Sequence, residues 1–343
     1  MTKYVVRRLL QAIPLLLIVS FALFILTNAM GDPLASFGGR RHILSKDRER
    51  LTRQLGLDKP VLVQYLIWLV GNDWMDMDSD GDGVADESGT RRGVLRGDFG
   101  TSFMEKRPVM TIIWERMRNT LILMVSAELV VLSLALFVGV YSALRQYSIL
   151  DYIFTAVSFI AYSMPVFWLG LLLMFVFAVY FKRWGLPYFP TVGMYDLAVG
   201  QTIPQVLWHL VLPVLTASIG FVAGYSRFVR SQMLEVINQD YIRTAYAKGV
   251  PWRTVISRHA LKNASLPLVT LIGLDLPFLF SGAVVTETIF AWPGMGRLFW
   301  GAAQDTDIPV IMGILVITAI LVIGFQILTD VTYTFLDPRI RYD

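Results

Sequence analysis

Six stretches of this 343-residue chain run for more than twenty residues with at most one acidic or basic side chain each. They are Leu9–Gly31, Asn119–Leu144, Tyr152–Phe181, Leu197–Ser226, Asn263–Thr286 and Ile308–Thr329. A bilayer-crossing helix needs about 20 mostly apolar residues, and core helices of soluble proteins are seldom this long and apolar on every face. Hydrophobic residues make up 55% of the chain and charged residues 16%, well below the roughly 25% charged of an average soluble protein. Residues 31 to 118 hold 14 Lys/Arg and 14 Asp/Glu, half of all the charged residues. The pattern predicts an all-α membrane protein with six transmembrane helices and one long polar segment after the first.

Orientation follows from the short loops, because Lys and Arg accumulate on the cytoplasmic side. With both termini cytoplasmic, Lys3, Arg7, Arg8, Arg145, Arg227, Arg230, Arg243, Lys248, Arg253, Arg258, Lys262, Arg339 and Arg341 fall on that side, against Lys182, Arg183 and Arg297 on the other. Residues 1–31 then form the N-terminus and first span, 32–118 an external domain with an acidic insertion at 72–92, and 119–343 a five-helix core with a cytoplasmic loop at 232–262. A cleaved signal peptide fits poorly, since the first apolar stretch is too long and Asn28-Ala29-Met30 is a poor small-residue cleavage site. The net charge of +4 lies beside apolar spans and argues against nucleic acid. Cysteine is absent, which excludes disulfide frameworks, thiolate metal sites and Cys nucleophiles.

The loop between the fourth and fifth spans has internal order. Gly249 suits the position after a helix end and Pro251 the first turn of the next, so the segment predicts helix, sharp turn, helix. Trp252, Val255, Ile256, His259 and Ala260 share one helical stripe, with Arg253, Arg258 and Lys262 off it. Such a basic amphipathic helix either lies on anionic lipid or docks a soluble partner.

The run Arg243-Thr244-Ala245-Tyr246-Ala247-Lys248-Gly249, followed by Arg258-His259-Ala260-Leu261-Lys262-Asn263-Ala264, resembles the EAA loop of ABC importer permeases of the dipeptide, oligopeptide and nickel branch. Four further segments resemble that branch in the same order: Tyr4–Pro14, Gly97–Ser102, Glu287–Leu298 and Asp337–Arg339. The likeness spans the chain except for residues near 72 to 92. Arg243 and Thr244 stand where the general motif has Glu and Ala, and Lys262 where it has Pro, so no role of the absent Glu is carried over. The resemblance implies a type I ABC importer permease fold and the first of two permease subunits of a di- or oligopeptide importer in a prokaryotic plasma (inner) membrane. It implies as partners a second homologous permease, two ATPase subunits that bind ATP-Mg, and an external substrate-binding protein, in addition to membrane lipid. Arg243, Thr244, Ala245, Ala247, Gly249, Trp252 and Arg253 would then couple to the ATPase. No G-x-x-x-x-G-K-[ST] occurs, so the chain is expected to be no enzyme and to hold no cofactor of its own for ATP hydrolysis.

Competing classes are a secondary transporter, which wants ionisable groups at the midplane and inverted repeats, and a calcium-responsive membrane receptor. Asp275 reads either as a pathway residue or as a hydrogen-bonded structural acid beside a helix break at Pro277. Glu128 lies nearer a span end. His209 and His259 have no companion ligand at metal spacing. Trp184, Tyr188, Trp292 and Trp300 sit near outer span ends, where an aromatic belt is expected.

Asp73 to Glu87 carries seven acids and no base. From Asp78 the order is Asp78, Asp80, Asp82, Gly83, Asp86, resembling the calcium loops of extracellular repeat proteins. From Asp76 it gives Asp76, Asp78, Asp80 and Glu87 at the twelfth place, closer to an EF-hand. Carboxylates two apart with a glycine at the bend suit one hard cation, so a structural Ca²⁺ is expected here.

Overall fold

Within lipid a single segment satisfies its backbone only as a helix, and helix dominates the computed structural model, which describes residues 2–29, 49, 52–53, 56–77, 87–89 and 91–336. In order these are α1 (Thr2–Ala29), α2 (Val61–Val70), the two-residue strands β1 (Asp76–Met77) and β2 (Glu87–Ser88), α3 (Val109–Leu144), α4 (Ile149–Ser163) and α5 (Val166–Met174). There follow α6 (Ile203–Ile237), α7 (Asp240–Ala247), α8 (Leu266–Ser281), α9 (Val284–Ile289), α10 (Met295–Gln304) and α11 (Ile308–Leu336). Five helical stretches among the described residues are long and apolar enough to cross a membrane: Val6–Ala29, Val109–Leu144, Val166–Arg183, Ile203–Ile237 and Ile308–Val331. The sixth expected interval is met by α8, whose 16 residues span about 24 Å.

Two prolines behave differently from each other, and in each case the neighbouring backbone explains why. The interval Tyr152–Phe181 is not one helix. Met164, ahead of Pro165, is extended at φ −85° and ψ 126°, as the ring of a following proline requires. The break separates α4 from α5, and α5 continues through a π-helical turn at Phe175–Tyr180 to Arg183. At Pro277 the expected break is absent and α8 runs through. Proline there removes the N–H that would bond the Gly273 carbonyl, and the Thr329 hydroxyl, shared with the Phe325 carbonyl at 2.8 Å, approaches the Gly273 carbonyl at 3.2 Å.

The chain divides into two compact units. In the unit formed by Asn119–Arg297 and the end of the chain from Gly324, α4 packs on α6 across a buried ion pair. Arg230 Nε and Nη2 each donate at 3.0 Å to Asp151, which is 2% exposed. The Tyr147 N–H adds a bond at 2.9 Å. Burial raises the Asp151 pKa, but the Arg230 and Tyr147 bonds outweigh it and hold the carboxyl below its ordinary value. The apolar interval begins at Tyr152, so the buried acid of this helix stands a single residue outside it.

The same unit contains a knot around Glu287, a fully buried carboxylate on α9. Its Oε1 accepts from the Thr120 hydroxyl at 2.7 Å and its Oε2 from the Arg297 N–H at 3.0 Å. Thr120 in turn accepts from the Met295 N–H at 2.7 Å. The first N–H groups of α10 have no partner within their own helix, and Glu287 and Thr120 supply it. Gly294 precedes that helix and has no side chain with which to cap it; a Cβ there would lie 2.4 Å from the Glu287 carboxyl. Asn119 closes the knot, its Nδ2 donating to the Pro293 carbonyl and its own carbonyl accepting from Trp292 Nε1, both at 2.9 Å. Trp292 is therefore fully buried and does not belong to an outer aromatic belt, whereas Trp184, Tyr188 and Trp300 are exposed.

The other unit, Thr2–Arg118 with Leu298–Ile323, is built by the same device. Asp307, 3% exposed, precedes α11 and accepts from the Ser102 hydroxyl at 2.5 Å and from the N–H groups of Phe103 and Met104 at 3.1 and 3.3 Å. Gly313 lets α11 close on α3, since a Cβ there would meet Val109 at 2.7 Å. Against α1, α2 sets Tyr65, whose hydroxyl bonds Ser20 Oγ at 2.8 Å and whose ring meets Phe21 and Phe24 edge-on.

Gly294→Ala is expected to lower thermal stability by about 2–4 kcal/mol because the added methyl invades a fixed carboxylate. Gly301→Ala in α10, where a Cβ meets nothing within 4 Å, should leave it unchanged or raised; thermal unfolding in detergent separates the two. Arg230→Ala strands a buried carboxylate and should cost about 3 kcal/mol or more. The folded-state pKa of Asp151 is depressed, so its contribution should be complete above its ordinary value of 3.8 and fade only as pH falls through the lower folded value. Melting of the parent chain and Asp151→Asn across pH 3 to 7 checks that window.

Candidate functional site

The segment after α6 begins with α7, which ends in a Schellman turn. The Val250 N–H bonds the Ala245 carbonyl at 3.3 Å, and the Gly249 N–H bonds the Tyr246 carbonyl at 3.0 Å. Gly249 has φ +79°, a conformation that costs any residue with a Cβ roughly 1–2 kcal/mol. Pro251 caps the next helix from just before its first residue instead of standing within its first turn. That helix starts at Trp252–Thr254, widens to a π-helical turn at Val255–Ala260 and returns to α at Leu261–Ala264.

Most of the expected stripe points inward. Val255, Ile256 and Ala260 are buried with Ile242 in a core shared with Val131, Val229 and Met233. The apolar face of this helix is thus occupied by the protein's own α3 and α6 residues, and it does not lie on lipid with that face. Trp252 departs from the stripe and is 45% exposed.

The part left outside is a compact, chemically distinct surface. Arg243, Thr244, Ala247, Gly249, Trp252 and Arg253 lie on it, whereas Ala245 is turned partly into the core. Nothing lies within 4 Å of a Cβ built on Gly249. Tyr246, 61% exposed, meets Trp252 edge-on at 5.8 Å between ring centroids, so two aromatic rings flank the Gly249 turn. The sequence pattern did not single out Tyr246 as a site residue, and its signal is the pairing of two exposed aromatics across a tight turn. Tyr241 is fixed beneath by a 2.9 Å bond from Asn263.

Inside the spans Asp275 accepts a hydrogen bond from the Tyr225 hydroxyl of α6. Glu128 of α3 is an electrostatic neighbour of both, and its Oε1 is buried without a hydrogen-bond partner among the described residues. His209 is buried, with Nδ1 2.8 Å from the Gln205 carbonyl one turn earlier. Because a carbonyl only accepts, Nδ1 carries the proton in that contact.

Of the expected calcium ligands, Asp78, Asp80, Asp82 and Asp86 lie outside the described residues. Asp76 and Glu87 are described, and among the described residues no group of three or more His, Asp or Glu is arranged to hold a metal. β1 and β2 pair antiparallel, Asp76 opposite Ser88 and Met77 opposite Glu87. Arg96 holds Asp73 through two bonds of 2.6 Å, and that hydrogen bonding keeps the Asp73 carboxyl below its ordinary pKa.

Comparison with known proteins fits this architecture. A family described as "Binding-protein-dependent transport system inner membrane component" matches residues 135–342, and its N-terminal counterpart matches residues 1–124. The oligopeptide transport system permease protein AppB of Bacillus subtilis is 40% identical over 344 residues, covering 100% of both chains. A putative peptide permease protein of Brucella suis is 38% identical over 344 residues and 99% of both chains. The dipeptide transport system permease protein DppB of Escherichia coli K12 is 34% identical over 364 residues, covering 100% of this chain and 99% of its own. With both halves matched and relatives aligned end to end, this chain belongs to the family of binding-protein-dependent transport system inner membrane components, the ABC importer permeases of type I fold.

Proposed function

We propose that the chain is the first of two permease subunits of a peptide importer and forms half of its translocation pathway. A partner ATPase grips the surface built from Arg243, Thr244, Ala247, Gly249, Trp252 and Arg253, with Tyr246 completing it. The observation that carries this reading is the exposed Tyr246–Trp252 pair on a helix whose inward face is locked into the core. Folding alone gives no reason to expose two aromatic rings beside an open glycine turn, whereas a partner groove does. A rigid base passes a partner's displacement to α6 and α8 as a body. The peptide substrate is taken from the functions for which the relatives are named. An external binding protein, ATP-Mg in the partner ATPases and cytoplasmic termini in a prokaryotic inner membrane complete the proposal.

Tyr246→Ala with Trp252→Ala should reduce substrate-stimulated ATP hydrolysis by about tenfold or more in the reconstituted transporter, as loss of two anchor residues implies, with thermal stability of the complex unchanged. Stimulation equal to the parent's would defeat the docking surface. The absence of cysteine makes Tyr246→Cys a clean reporter of sidedness: in vesicles that hold the chain without its ATPase, a membrane-impermeant maleimide should label it only when they are inside-out, and labelling in right-side-out vesicles would reverse the topology.

For the acidic segment we propose a structural Ca²⁺ in the register that begins at Asp78. Asp78, Asp80 and Asp82 stand two apart with Gly83 at the bend, and the β1–β2 pairing brings the ends of the segment together. Titration calorimetry on the solubilised chain should give an affinity on the order of 10⁻⁴ to 10⁻³ M, lost in Asp80→Ala and Asp82→Ala but kept in Asp76→Ala. No calcium heat in the parent, or loss in Asp76→Ala, rejects this register.

A further inference from the structure

Arg91 lines a cavity of about 70 Å³, walled by Phe24 and Thr27 of α1, Gln64 and Trp68 of α2, Phe103, and Met312 of α11. Its backbone is clamped at both ends by Asn72: the Arg91 N–H donates to Asn72 Oδ1 at 2.9 Å, and its carbonyl accepts from the Asn72 N–H at 3.0 Å. The root of the side chain is therefore fixed beside the cavity. Among the described residues the guanidinium has no hydrogen bond, ion pair or ring contact. Asp98 is near enough to be felt electrostatically, but its two oxygens are taken by the N–H groups of Arg92 and Gly100, each at 3.0 Å. Burial pushes the Arg91 pKa down, and the Asp98 field only partly opposes this. Guanidinium does not deprotonate in a protein, so the partly buried Arg91 keeps a charge that no bonded partner among the described residues neutralises.

We propose that this cavity holds the phosphate of an anionic glycerophospholipid, with Arg91 as its counter-charge. Guanidinium matches phosphate geometry through paired donors. The remaining polar lining is complementary to the hydroxyls of a glycerol headgroup. Gln64 uses its Nε2 on the carbonyls of Leu57 and Lys59, and Thr27 its hydroxyl proton on Phe24, which leaves oxygen acceptors. The walls come from the last turns of α1 and the first turns of α11, two helices long and apolar enough to cross the membrane. Ile18 and Ile25 leave an apolar flank of α1 uncovered, along which an acyl chain can lie. The volume holds roughly five waters at about 10–15 Å³ each, enough for a phosphate and far below the ~300 Å³ at which substrate pockets begin.

Native mass spectrometry and thermal unfolding of the full chain in mild detergent test this, using phosphatidylglycerol, phosphatidylcholine of matched acyl chains, inorganic phosphate and a dipeptide as probes. Phosphatidylglycerol should be retained about tenfold better than phosphatidylcholine and should raise the melting temperature. Arg91→Gln should abolish the selectivity, and Arg91→Lys should keep part of it. Equal retention of the two lipids by the parent chain overturns the proposal and needs no variant, so it stands or falls even if Arg91→Gln does not fold. An Arg91-dependent shift produced by phosphate alone assigns a free-anion site, and one produced by the dipeptide assigns a carboxylate site; either overturns the lipid.

Discussion

Each long helix of this chain satisfies its own backbone until it stops, and inside or near a membrane each stop exposes N–H or carbonyl groups that water does not reach. Side-chain oxygens supply the missing partners at the points that matter. Glu287 and Thr120 take up the first N–H groups of α10, Asp307 gathers the Ser102 turn ahead of α11, and Thr329 meets the carbonyl that Pro277 orphans. Where the partner is a carboxyl group it is buried and held in place by several donors at once. That is why the glycines around Glu287 cannot be exchanged for larger residues without displacing its carboxyl group.

The family motifs acquire a physical meaning from this accounting. The run from Glu287 to Leu298 is a carboxylate, the turn it organises and the helix it caps, and Trp292 and Pro293 are there because Asn119 bonds both. The run from Gly97 to Ser102 delivers a hydroxyl to Asp307. The loop at Arg243–Ala264 is organised differently, with buried Val255, Ile256 and Ala260 securing it and Tyr246 and Trp252 left outside. Secured on one face and open on the other, it presents an exposed turn on a base packed into the core.

Much of this was legible in the residues. Charge-poor intervals marked the spans, and the Gly249 turn was readable because an αL position after a helix favours glycine. The failures share one cause, which is that a local pattern does not reveal a distant partner. Pro165 and Pro277 look alike in sequence, yet only Pro277 has a threonine fifty-two residues away to satisfy the carbonyl it frees. Trp292 has the composition of a belt residue until Asn119 claims its indole N–H. Asp151 fell outside the apolar interval because a search for uncharged runs ends at the first acid, including one neutralised by Arg230 from another helix. Tyr225, which holds Asp275, left no pattern at all.

The π-helical turn at Val255–Ala260 has a consequence for how chains of this kind tolerate changes in length. Such a turn accommodates one residue more than the α-helix around it, and each residue of α-helix rotates the rest of the helix by about 100°. Removing Ser257 would let the turn tighten to α, with Val255 and Ala260 then four apart and still facing the same core. A one-residue deletion here is therefore absorbed by the exchange of a π turn for an α turn, so that the side chains from Leu261 onward keep their phase and the scaffold around them is unchanged.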